Sequence, residues 1–391
     1  MARILIISPY EPPSDGIAKH TARLVEAWDA AGHTVLVVAP GKRRRIRDAT
    51  PIGERSRVAR ILGLGLSRRT WRDISSFRPD VLFVQFAIAA VNVNLFSVIG
   101  LCRKFKDARV PVIIAFHEPN REYNLLGPMT RSIYRAIART TDVPIVFSAA
   151  GRESLMYNSL FREVVEVPHG TTSVAQISEE DIARVSNLYK IVKPLVLVLG
   201  FTTPDKGADI LISAASAISH SRHKNVQFLI AGSPRARRGV FRVMGHRDVK
   251  YGTELVNRAQ KLVNVDFALS GFVADQDVAA LLHLADVVVL PYRNITQSGI
   301  ANLALSSQSV IVSSDLPGLR SDLGDAARYV PVGDSTALAG EISWLLGDDN
   351  ANIRQQMRDL AGQRAAANSY AKVAESILDA GMPSHGRNPQ F

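Results

Sequence analysis

Apolar residues along this chain gather into short unbroken runs separated by stretches where they recur every three or four positions. The runs at 3–8, 34–39, 81–86, 110–115 and 143–149 are rich in Val, Ile, Leu and Phe and read as strands covered on both faces. Between them the period becomes helical: 16–31 carries Ile17, Leu24, Val25 and Trp28 and closes on Gly32, and 95–105 and 129–140 follow suit. Strand, helix and strand within about forty residues make a βαβ unit of a parallel, doubly wound sheet. A polar span at 173–193 follows, and the alternation restarts. Strands are expected at 195–199, 226–231, 265–269, 287–290, 310–314 and 329–332, with helices at 208–218, 275–285, 335–346, 352–366 and 370–380. The chain is therefore expected to be α/β with two such domains, 1–172 and 194–366, joined by a linker at 173–193. In residues 367–391 a last helix crosses back to the first domain and ends in a frayed tail.

Composition fits this division. A length of 391 residues suits two domains, and 47% apolar with 21% charged residues is globular composition. The single cysteine, Cys102, excludes an internal disulfide and a Cys-rich zinc site; it reads as a buried small hydrophobe in a reducing compartment. No secretory signal is expected, because the apolar run at 4–7 is too short and leads straight into Pro9, Pro12 and Pro13. Residues 81–102 lack charge, but Gln85, Asn92 and Asn94 interrupt them, so strand, turn and buried helix is preferred to a membrane span. A cytoplasmic protein, at most peripheral to the inner face of the plasma membrane, is the expectation.

Charge changes the picture of the first half. Residues 1–170 hold 25 Lys and Arg against 15 Asp and Glu, nearly all of the net +11 of the chain. This asymmetry points to an acidic partner there. Lys42, Arg43, Arg44, Arg45 and Arg47 cluster, and 57–74 carries Arg57, Arg60, Arg68, Arg69 and Arg72 among Val58, Ile61, Leu62, Leu66 and Trp71. Two readings stay open for 57–74: a basic amphipathic helix on an anionic membrane, or a solvated loop and helix covering the sheet. Gly63 and Gly65 weaken the helix. Nucleic acid is disfavoured, since no aromatics interleave the basic cluster for stacking. Residues 235–250 form a second basic excursion, of loop character.

Candidate chemistry sits where strands end. In 287–315, Pro291 stops a strand, and Asn294, Thr296, Gln297 and Ser298 offer oxygens and amides where a helix begins, with Gly299 allowing close approach. A helix N-terminus binds anions, and a diphosphate fits; an ordinary capped helix between strands is the alternative. The loop at 8–16, with Asp15 and Gly16, is too long and polar for a connector, and His117, Glu118 and Asn120 follow the fourth strand directly. Loops at the carboxyl ends of parallel strands are where ligands bind in such sheets, though a loop histidine satisfied by backbone is equally open.

Four segments in the second half, in order, carry a resemblance: GFTTPDKG at 200–207, FLIAGS at 228–233, VDFALSGFV at 265–273, and 291–305 followed by 310–315. Together they resemble the retaining family-4 glycosyltransferases of the GT-B fold, and 9–16 and His117 match more loosely. The resemblance implies two Rossmann-like domains facing across a cleft. It further implies a nucleotide-sugar donor held mostly by the second domain and a sugar, glycolipid or other anionic acceptor held by the first. Lys206 would neutralise the diphosphate of the leaving group with the backbone N–H groups of Ser298, Gly299 and Ile300, and His117 would contact the transferred sugar. Gly16, Gly200, Thr202, Gly232, Ser233, Phe272, Val273, Asn294, Thr296 and Gln297 would complete the donor side, and Asp15, Glu118 and Asn120 the acceptor side. Retention needs no carboxylate base, and neither metal nor other cofactor is expected; Asp348-Asp349 falls in a helix-terminal loop.

Departures from the family pattern are specific. The usual Glu, seven residues, Glu becomes Thr296 and Ala304, so this chain resembles a branch lacking the pair; Thr296 can still bond a sugar hydroxyl, but Ala304 cannot hold a ribose diol. Phe201 or Thr202 stands where an Arg usually joins the Lys. Losing one charge-assisted hydrogen bond costs about 1.5–3 kcal/mol, roughly ten- to a hundred-fold in affinity. A catalytically idle relative acting as a binding or partner subunit is therefore the alternative to an active enzyme.

Overall fold

The structure, a computed structural model, describes residues 1–11, 16–40, 49–61, 68–88, 95–117, 119, 128–158, 160–171, 177–219, 226–234, 242–262, 266–295 and 298–382. It divides into two units, Met1–Gly170 with Asn368–Phe391, and Thr171–Ala367.

The first unit is built on β1 (Arg3–Ile7), β2 (Thr34–Pro40), β3 (Thr50–Pro51), β4 (Arg57–Ile61), β5 (Val81–Phe86), β6 (Val112–Phe116), β7 (Val143–Val146) and β8 (Val165–Glu166), in the order β3-β4-β2-β1-β5-β6-β7-β8. Neighbours pair in parallel, with Ile4 opposite Val35 on one side and Val81 on the other. The exception is the antiparallel edge pair β3 and β4, so this sheet is mixed rather than uniformly parallel as expected. Helices α1 (Gly16–Ala30), α2 (Arg68–Ser75), α3 (Leu95–Asp107), α4 (Pro128–Ala138) and α5 (Ala149–Tyr157) connect the strands. Leu5, Val84, Phe105, Phe116 and Tyr134 fill one face; Ile4, Phe83, Trp28 and Ile377 fill the other. Cys102 is buried in the first of these cores, and burial pushes its thiol up to about 12, which suits an inert hydrophobe.

The helical reading of 57–74 is corrected in its first part. Residues 57–61 form β4, parallel to β2 with Val58 opposite Val37 and Ala59 opposite Val38. Val58 and Ala59 are buried on opposite faces of the sheet, so the side chains follow a period of two. The helix begins at Arg68, and 62–67 lie outside the described residues, as does the basic run at 41–48.

The second unit has six parallel strands, β9 (Leu195–Leu199), β10 (Gln227–Ala231), β11 (Asp266–Leu269), β12 (Val287–Leu290), β13 (Ile311–Ser314) and β14 (Ala327–Val330), in the order β11-β10-β9-β12-β13-β14. The span taken for a linker contains α6 (Glu179–Tyr189). Ser178 caps it by accepting from Asp181 N–H, three acidic residues face the helix dipole in its first turn, and Val185 is fully buried. Ile182, Val185 and Tyr189 face the core at helical spacing, but the charged and polar residues around them led the span to be read as polar. The basic excursion is corrected from residue 242 on, 235–241 lying outside the described residues: α8 (Arg242–Ala259) is a long helix seated through Tyr251, Leu255 and Ala259, four residues apart. The remaining helices are α7 (Ala208–Ser219), α9 (Asp275–Leu284), α10 (Gly299–Ser306), α11 (Pro317–Leu323), α12 (Ser335–Leu345) and α13 (Ala351–Ala367). A short 3₁₀ turn, Pro204–Lys206, precedes α7.

The chain then returns to the first unit as α14 (Tyr370–Gly381). It packs on α1, where Trp28 Nε1–H donates to the carbonyl of Ala374 at 2.9 Å. At the start of α14, Tyr370 OH lies 3.0 Å from His20 Nδ1. The His20 ring stands 4.6 Å from that of His169 and 5.7 Å from that of His117. Burial drives His20 well below its usual pKa, His117 to about 3 and His169 to about 4, and mutual repulsion adds to the shift of His20 and His117.

All three imidazoles are neutral in the fold, while in the unfolded chain they titrate near 6.5. Below that pH the unfolded state binds protons the folded state does not, so stability is full above about pH 6.5 and falls as pH drops toward the folded values. For the buried His117 the loss between about pH 6.5 and 5 amounts to about 2 kcal/mol. Melting curves over that interval are expected to show a falling midpoint that His117→Gln flattens; an equal slope in the variant would contradict the assignment.

Candidate functional site

In the second unit the strand ends approach one another through backbone rather than side chains. Gly200, just past β9, has φ +117°, and its N–H donates to Ala231 O at 2.9 Å. A Cβ on Gly232 would stand 1.7 Å from the Gly200 carbonyl oxygen, so only glycine fits there. Thr202 N–H then donates to Ser233 O at 3.0 Å. Gly200, Thr202, Gly232 and Ser233 are thus brought together, with Thr202 Oγ1 buried and without a hydrogen-bond partner among the described residues.

The turn that carries Lys206 packs against the turn after β12. Gly207, at φ +64°, would place a Cβ 1.9 Å from Pro291 O. Arg293 N–H donates to Asp205 O at 2.8 Å, and its guanidinium holds both carboxylate oxygens of Asp209 at 2.7 Å and Pro204 O at 3.1 Å. Tyr251 OH donates to the same carboxylate at 2.5 Å. Burial works against the Asp209 carboxylate, but the bonds from Arg293 and Tyr251 outweigh it and hold its pKa below the usual range. Arg293 is therefore committed to the scaffold.

Across this junction Lys206 Nζ sits 3.6 Å from the centroid of the Tyr292 ring. Tyr292 is buried, and burial raises its hydroxyl to about 12; that hydroxyl lies 3.2 Å from Ser298 Oγ. Ser298 caps α10 by accepting from Ala301 N–H at 3.1 Å. Among the described residues, the N–H groups of Gly299 and Ile300 have no acceptor, and nothing lies within 4 Å of a Cβ placed on Gly299. Ile300 borders Gly200. An ammonium over the Tyr292 ring and a helix N-terminus beside its hydroxyl are thus linked through one side chain, the kinds of group that favour an anion.

Asn294 is exposed on the same loop, while Thr296 and Gln297 lie outside the described residues. Ala304 is wholly buried in the core under α10, so the position a second carboxylate would occupy faces packing. Phe272, 76% exposed, and Val273 follow β11, two strands away from β9; Val273 packs against the core cluster that also holds Tyr292 and Ala301. The expectation that no metal is bound overlooks one Asp-X-Asp, Asp275-Gln276-Asp277. It forms the first turn of α9, where Asp277 pairs with Arg184 at 2.8 Å and accepts from Tyr189 OH at 3.3 Å.

In the first unit, His117 follows β6 and Gly16 opens α1 at an exposed position. Asp15, Glu118 and Asn120 lie outside the described residues. His117 is buried among His20 and Phe147, and its Nε2 meets Gln85 Oε1 in a hydrogen bond that places the ring proton on that nitrogen. The sequence reading missed Gln85, His20, Tyr292 and Arg293. Tyr292 and Arg293 were detectable, since they follow directly on the proline that ends β12; no pattern in the sequence singles out His20.

Comparison with known proteins bears on the family and the fold. Residues 14–171 match glycosyltransferase family 4, and residues 193–348 match the family described as glycosyl transferases group 1. The phosphatidyl-myo-inositol mannosyltransferase of Mycolicibacterium smegmatis is 26% identical over 96% of this chain and 92% of that protein. The alpha-D-kanosaminyltransferase of Streptomyces kanamyceticus is 26% identical over 48% of this chain and 44% of its own. Among solved structures, sucrose-phosphate synthase from Thermosynechococcus elongatus superposes with a TM-score of 0.71 at 17% identity, covering 96% of this chain and 97% of that one. HepE of Anabaena, in complex with UDP and glucose, superposes at 0.67 with 17% identity over 97% and 99%. The paired Rossmann-like units, and the two matched segments that between them span most of the sequence, make this chain a family-4 glycosyltransferase of the GT-B fold.

Proposed function

We propose that the protein is a metal-independent, retaining glycosyltransferase that moves a sugar from a nucleotide-diphosphate donor to a glycan, glycolipid or other cell-envelope intermediate. The observation that carries this reading is the open corner formed by Lys206 and the N-terminal amides of α10. As the glycosidic bond to the donor breaks, negative charge builds on the diphosphate, and fixed donors aimed at that charge lower the barrier more than they stabilise the ground state. One ammonium and two amides supply this in the absence of the usual second cation, Arg293 being tied to Asp209.

His117 has a different task. Its resemblance to the family histidine gives it a place against the transferred sugar, and burial keeps it neutral at working pH. It therefore serves as a hydrogen-bonding group and not as a cation or proton donor. Retention, with departure and attack on one face, leaves no step that requires a carboxylate base.

The acceptor reading rests on charge and on the relatives. The +10 carried by residues 1–170 attracts anionic surfaces, and the mycobacterial relatives are named for a phosphatidyl-inositol acceptor. No helix among the described residues is long and apolar enough to cross a membrane, which suits peripheral contact. The burial of Ala304 favours a second reading, an idle family member that binds a partner, because nothing at that position can hold a ribose diol.

Lys206→Ala is expected to lower donor turnover by about a hundred-fold or more while leaving the melting temperature near that of the parent, as measured by nucleoside diphosphate release and thermal melts. Turnover unchanged in the variant would overturn the site; a parent protein that neither binds nor hydrolyses any nucleotide sugar in calorimetry would establish the idle reading. For His117→Gln, kcat should fall while the shape of its pH dependence between about pH 5.5 and 8 stays as in the parent. An inflection near neutrality that disappears in the variant would show that His117 titrates after all.

A further inference from the structure

Tyr292 touches both halves of the anion corner. Its ring face lies under the Lys206 ammonium at 3.6 Å, and its hydroxyl stands 3.2 Å from Ser298, the cap of α10. The two groups come from different βα units, β9 to α7 and β12 to α10, so their spacing is not fixed by local chain geometry. We infer that Tyr292 is a positioning residue that fixes the Lys206 ammonium relative to the α10 N-terminus and so sets the width of the diphosphate site. This rests on the reading of that corner given above.

Lysine has a flexible four-carbon stem with many rotamers, and an anion site that must order it on binding loses affinity in proportion. The negative face of a buried aromatic ring selects one placement beforehand. Tyr292 is itself held in place: it is buried, and the next residue, Arg293, is bonded to both oxygens of Asp209 and to the backbone of the Lys206 turn. Simple core packing would require only a large side chain here. A ring with a cation on its face and a hydroxyl beside a helix cap indicates more than filling, and the two arms make separable predictions. The ring governs the ammonium; the hydroxyl governs the cap.

The test uses the full-length protein in metal-free buffer, with UDP, GDP, ADP and TDP and the matching nucleoside monophosphates titrated by calorimetry. Tyr292→Leu removes both arms, Tyr292→Met does so with less change of volume should the first variant fold poorly, and Tyr292→Phe keeps the ring alone. Leu or Met is expected to weaken the best diphosphate roughly ten-fold while leaving its monophosphate within about two-fold, and Phe should lie between these and the parent. A merely structural tyrosine would weaken diphosphate and monophosphate alike, and that outcome overturns the inference. So does diphosphate binding at parental strength in the Leu or Met variant, or a Phe variant as weak as Leu. Failure of the site reading looks different: a parent protein that binds none of the four diphosphates, or a Lys206→Ala variant that binds as well as the parent, removes the corner itself and this inference with it.

Discussion

The contact on which the second unit depends is between backbones. At Gly207 the carbonyl of Pro291 occupies the space a side chain would fill, and at Gly232 the carbonyl of Gly200 does the same. Three adjacent strand ends are drawn within hydrogen-bond reach, so the loops after β9, β10 and β12 share one surface. Glycine at φ +64° or +117° has no steric penalty where other residues do. Without this approach Lys206 would stand apart from α10, and no anion could be held by both.

Around that contact the polar groups are arranged so that each is either committed or available. Arg293 and Asp209 are committed to one another, with Tyr251 completing the carboxylate. Asp277 is committed to α6, which keeps the Asp-X-Asp from offering a free carboxylate pair. The amides of Gly299 and Ile300 are available among the described residues, since Ser298 caps only Ala301. Such division is what a preorganised site requires: amides that are to meet developing charge must not first be stripped from other partners.

The first unit solves a different problem with the same architecture. Its polar cluster at the strand ends is neutral, because three imidazoles close together in a buried setting cannot all take up protons. Gln85 fixes the His117 ring from the neighbouring strand, and Tyr370 reaches His20 from the last helix. The return of the chain as α14 therefore contributes to this cluster as well as to the core.

Sequence alone determined the two sheets, most of their strands and the glycine-marked turns, because parallel strands buried on both faces are apolar throughout and a tight turn admits few residues. Ser298 and Gly299 were singled out by type and place at a helix start, whereas Lys206 entered only through the family resemblance. Sequence did not determine α6 and α8, whose apolar stripes lie among many charged and polar residues, or β4, whose arginines resembled a helix surface. Nor could it assign Arg293 to Asp209 or Tyr292 to Lys206. Those pairings join residues 84 and 86 positions apart, and such partners are chosen only when neighbouring strands of the sheet bring their loops together.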